Sequence, residues 1–83
     1  MLWSVEKSVR LNDRDRFALI VYSAPLKMIV EVSTTATILK NDLLYPIENA
    51  LYIINKRKSD KLKVLYAIEY SHQKWNAMIN ITP

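Results

Sequence analysis

The chain has no glycine in 83 residues, where an average usage of about 7% would supply roughly six. Glycine reaches positive φ without a steric penalty and lets a backbone approach a ligand closely. Phosphate-cradling loops, dinucleotide-binding turns and strained nucleophile elbows all depend on it. None of these can be built here in the usual way.

The remaining chemistry is narrowed by two other absences. There is no cysteine, so neither a disulfide framework nor a thiolate metal site is available. The only histidine is His72, beside Ser71 in what reads as a turn. A triad base must be held by packing and matched to an oxyanion hole, and a turn histidine offers neither. Asp13 and Asp15 resemble the start of a calcium loop, but Ala18 and Ala24 stand where that loop needs glycine and glutamate. Glu31 and Glu69 fall on predicted strands, where pairing with Lys63 or another cation is a better role than acid–base work. We expect no catalysis, no metal and no cofactor.

Hydrophobic periodicity supplies the architecture. Trp3, Val5, Val9 and Leu11 alternate with polar residues, although Lys7 breaks the apolar row. Period two of this kind predicts a half-buried strand. Phe17–Tyr22 and Lys27–Thr34 predict a hairpin around the turn Ser23-Ala24-Pro25-Leu26. Ile47, Ala50, Leu51 and Ile54 recur at helical spacing, with Pro46 suited to a first turn and Lys56, Arg57 and Lys58 to a last one. Leu62 to Tyr70 and Trp75 to Ile81 alternate again and predict a second hairpin around His72.

The expected fold is therefore α+β, in the order β-β-β-α-β-β. It is a single domain over residues 1–83, a mostly antiparallel sheet of about five strands with one helix packed on one face. One helix leaves the second face open. Ala18, Ile20, Tyr22, Ile29, Leu65, Ala67 and Met78 are its apolar candidates, and an exposed patch of that kind marks a contact surface. We expect a protein partner or a second copy there.

The other candidate surface is basic. Lys56, Arg57, Lys58, Lys61 and Lys63 stand against Asp60 alone within eight residues of a chain whose formal charge is +4. Clusters of this kind recognise phosphate backbones, so the first functional expectation is an accessory protein touching nucleic acid or a nucleoprotein complex. The alternative is a protein-interaction module, whether dimer, adaptor or small inhibitor, that uses the second sheet face. The longest apolar window, Phe17 to Val32, is interrupted by Ser23, Pro25, Lys27 and Glu31 and falls short of the roughly 20 residues a membrane helix needs. A cytoplasmic protein is expected, and the abundance of Ile, Lys, Asn and Tyr suits an AT-rich genome such as that of a virus or an archaeon.

Overall fold

The structure is a computed structural model and describes residues 2–11 and 14–80. Strands β1 (Trp3–Arg10), β2 (Arg16–Ser23) and β3 (Leu26–Ser33) form an antiparallel meander. They are followed by β4 (Leu43–Glu48), β5 (Leu51–Ile54), the long β6 (Arg57–Glu69) and a terminal helix α1 (His72–Ile79). The six strands close a barrel in the order β1-β2-β3-β6-β5-β4. Closure removes the open second face that a flat sheet would have, and corrects the expected sheet with one helix packed on it.

The expected helix near Pro46–Lys58 is instead the β4–β5 hairpin and the start of β6. Its apolar stripe fits a helical period, yet Ile47 is exposed and Ala50 has φ of 60°. In the run Leu51-Tyr52-Ile53-Ile54 the last three residues are aromatic or β-branched, which suits a pleated surface. Pro46 is accommodated because β4 pairs with β1 at Leu43 and Leu44 and runs past it thereafter. A missing N–H is tolerated in such an edge setting.

The expected last strand is α1. Ser71 caps it, its Oγ accepting the Lys74 N–H at 3.0 Å. Trp75, Met78 and Ile79 then fall on one helical face at i, i+3 and i+4. Ile81, the expected end of that strand, lies outside the described residues, as does Asp13.

Two β-bulges decide which side of the barrel each apolar residue faces. In β1 the register with β2 shifts between Val5 and Lys7. Trp3 and Val5 therefore point into the barrel, while Val9 and Leu11 pack outside it. In β6 the register with β3 shifts at Leu65. Leu62 and Val64 face inward, but Tyr66 and Ile68 turn outward. A bulge inserts one unmatched residue, so every later side chain changes face.

The barrel thus has two cores. The inner one contains Phe17, Leu19, Val21, Val30, Val32, Leu44, Ile54 and Leu62. The outer one gathers Ala18, Ile20 and Ile29 beneath Trp75, with Val9, Leu11, Ile68 and Met78 around them. β2 supplies both, which explains its unbroken apolar run Phe17-Ala18-Leu19-Ile20-Val21: a strand covered on both faces has no polar side. The connector between β3 and β4 adds Ile38 to the inner core. Thr34 anchors that connector, donating to the Lys61 carbonyl at 2.7 Å and accepting the Ala36 N–H at 3.0 Å.

Trp75 is 4% exposed and is the one buried residue of α1. An eight-residue helix does not persist on its own in water, so this indole holds α1 to the barrel. Trp75→Ala should lower stability by about 3 kcal/mol in urea unfolding. A loss under about 1 kcal/mol would show that α1 is held by something else.

Candidate functional site at the barrel mouth

At one end the barrel is not filled. An open cleft of about 160 Å³ is lined by Val21, Met28 and Val30 from the β2–β3 meander and by Val64 and Ala67 from β6. Trp3 and Leu44 close one side, and Ala50 and Tyr52 the other. Every lining side chain is aliphatic or aromatic. Apolar pockets with few polar groups are common binding sites, and of the residues lining this one only Tyr52 carries a titratable group.

Ala67 reaches the cleft because of the Leu65 bulge. It pairs with the inward-facing Val30, while its neighbours Tyr66 and Ile68 pair with the outward-facing Glu31 and Ile29. Ala50 reaches it through a turn that lacks glycine. It occupies the left-handed region, and its carbonyl accepts the Val64 N–H at 2.7 Å. The β4–β5 turn is thereby tied to β6 across the rim.

The basic residues lie on the β5–β6 hairpin. Asn55 and Lys56, with φ of 53° and 65°, form its two-residue turn between the paired Ile54 and Arg57. Two successive left-handed residues match the twist of a hairpin, a place normally held by Asn-Gly. Asn55 also accepts the Leu43 N–H through Oδ1 at 2.8 Å and donates through Nδ2 to Asp42 at 2.9 Å. Lys56 lies over the Tyr45 ring at 5.4 Å. Residues 58–60 have no partner on β5 between Arg57 and Lys61, so Lys58 stands on an excursion from the strand. Lys61 and Lys63 point outward from β6, flanking the inward Leu62.

The apolar interface candidates are divided by the fold. Ala18, Ile20 and Ile29 are buried under α1, which contributes Met78 to the same cluster. Tyr22 and Leu65 are exposed, and Ala67 lines the mouth. The two strand carboxylates do not converge. Glu31 is paired with Arg16 at 2.9 Å, whereas Glu69 stands opposite Met28, three positions away on β3. His72 lies at the start of α1, where its Nε2 is 3.2 Å from the Asn76 amide. Of the residues lining the mouth only Ala67 was a sequence candidate; Trp3, Val21, Met28, Val30, Leu44, Ala50, Tyr52 and Val64 were missed. The signal for Ala50 and Tyr52 was Asn49 and Asn55, turn residues that bracket a run of five residues, Ala50 to Ile54.

A family model described as the IraM/PmrD family matches residues 1–76. The chain belongs to the IraM/PmrD family. It is 37% identical over 83 residues to the signal transduction protein PmrD of Escherichia coli K12, covering 98% of this chain and 94% of that protein. The signal transduction protein PmrD of Salmonella typhimurium is 32% identical over 80 residues, covering 94% of each. The fold is similar to the crystal structure of E. coli PmrD, with a TM-score of 0.94 at 36% identity and complete coverage of both chains. The solution NMR structure of PmrD from Klebsiella pneumoniae gives 0.77 at 28% identity, covering 92% of this chain and 95% of that one.

These relatives overturn the nucleic-acid expectation. It rested on a basic helix end, and Lys56 to Lys63 form a strand hairpin in a family of signal-transduction proteins. They are also bacterial, which removes support for a viral or archaeal source. Among the described residues no helix is long and apolar enough to cross a membrane.

Ala50 in the left-handed region carries a steric cost of roughly 1 kcal/mol that glycine would not. Ala50→Gly should raise stability by about that amount in thermal unfolding. A fall in stability would mean that the methyl group is needed in the rim packing.

Proposed function

We propose that the chain is a non-catalytic regulatory protein of a bacterial signal-transduction system, acting in the cytoplasm by binding a protein partner at the barrel mouth. Membership of the family over residues 1–76 carries this reading. The mouth supports it. A cleft of about 160 Å³ with aliphatic and aromatic walls takes an apolar side chain, and buried anchors of that kind dominate the energetics of protein contacts. Ala67 is the member of the sequence-derived interface set that lines this surface, and the exposed Leu65 lies two residues from it in the chain. The two strand carboxylates do not form an acid–base pair, since Glu31 is engaged by Arg16 and Glu69 stands three positions away along β3.

The test is complementation in E. coli lacking its own 37%-identical relative. The chain should restore the signalling output lost on that deletion. Ala67→Glu should cut the output about tenfold or more, because a carboxylate in an apolar contact is left without its water. Gln73→Glu, on the exposed side of α1, should leave it unchanged. Full output from Ala67→Glu would remove the mouth from the reading, and no output from the unmodified chain would remove the reading itself.

A further inference from the structure

The net charge of the chain resides on one hairpin. Twelve cations and eight carboxylates give +4, and the segment from Lys56 to Lys63 holds five of the cations and one carboxylate. The rest of the chain is left with seven of each. It is therefore formally neutral, and the net charge of the molecule is that of this hairpin.

The carboxylate within the segment is already engaged. Asp60 is ion-paired with Arg57, so the hairpin neutralises its own guanidinium. Lys56, Lys58, Lys61 and Lys63 are exposed, and none has a carboxylate within 4.0 Å among the described residues. Elsewhere Arg16 is paired with Glu31 and Lys27 with Glu6. Four ammonium groups without a carboxylate partner on one hairpin repel one another and gain from any opposite charge brought to them.

We propose that this hairpin docks on an acidic face of a protein partner, beside the apolar contact at the mouth. The proposal rests on the protein-binding reading above and adds the chemistry of the partner. Tyr52 and Val64 line the mouth while Lys61 and Lys63 point outward from the same pair of strands. The complementary surface thus carries an apolar knob next to carboxylates, a combination that a protein supplies. Charges at the rim of an apolar contact steer encounter and fix orientation.

The test uses the full chain, isotope-labelled for amide NMR, titrated with a short oligoglutamate peptide at low salt. Oligoglutamine, a DNA duplex and phosphatidylglycerol vesicles serve as parallel probes. Oligoglutamate should shift amides of residues 56–63, and oligoglutamine should not. The affinity should fall about tenfold in K58E/K61E and stay within about twofold in K58R/K61R. No shift with oligoglutamate, or tighter binding of the duplex or the vesicles, would overturn the proposal. In the complementation strain K58E/K61E should lose output about tenfold while K58R/K61R retains it. Full output from a folded K58E/K61E would overturn the docking role and leave the protein-binding reading standing. Failure of the unmodified chain would strike that reading alone, since the titration decides the hairpin's preference by itself.

Discussion

Two unmatched residues govern this fold. Glu6 in β1 and Leu65 in β6 each shift the register of a barrel strand. A regular barrel strand has one apolar face and one wet face, and a one-residue slip exchanges them. Here the exchange occurs within a strand, so β1 and β6 feed the interior from one half and the exterior from the other. The exterior half needs a cover, and α1 provides it. The interior half near Ala67 is left with a methyl group where a larger side chain would fill the end of the barrel, and the mouth stays open.

The bulge in β1 lies close to the contacts that hold the cover in place. Glu6 reaches Lys27 of β3 at 3.2 Å, and Lys27 lies 5.0 Å over the Tyr70 ring at the entry to α1. The Tyr70 N–H donates to the Lys27 carbonyl at 3.0 Å. The pair Glu6–Lys27 is half-exposed and contributes little by itself; the backbone bond is what sets the direction in which the chain leaves β6. The missing glycines have a related consequence. Asp15, Asn41, Ala50, Asn55 and Lys56 take the left-handed positions that turns require. Asparagine and aspartate tolerate that region, while alanine and lysine are placed there at a cost. Both of the latter frame the β5 strand, between the mouth and the basic hairpin.

The first three strands are legible in the sequence because their alternation is strong and their turn is marked by Pro25. The break at Lys7 was visible as well, and it is the trace of the Glu6 bulge. The second half misleads for physical reasons. Ile47, Ala50, Leu51 and Ile54 satisfy a helical period by coincidence, and without glycine the turns at Ala50 and Lys56 carry no conventional mark. Trp75, Ala77 and Ile79 satisfy period two, yet the capping serine before them and Met78 beside Ile79 fit a helix better. The basic cluster was legible as composition, but its placement on a hairpin rather than a helix end changes the partner it suits. The mouth was not legible, because it is assembled from all six strands and the β4–β5 turn, and depends on a register shift that no local pattern reports.

One barrel wall separates two cores, with a tryptophan in each. Trp3 belongs to the inner core and Trp75 to the outer one. Nuclear Overhauser spectra of the two indole rings test this directly. The account predicts contacts from Trp75 to the methyl groups of Ala18, Ile20 and Ile29, and from Trp3 to those of Val21 and Leu44, with no methyl group shared. Contacts from Trp75 to Leu19 or Val30, or none to Ala18, would contradict it.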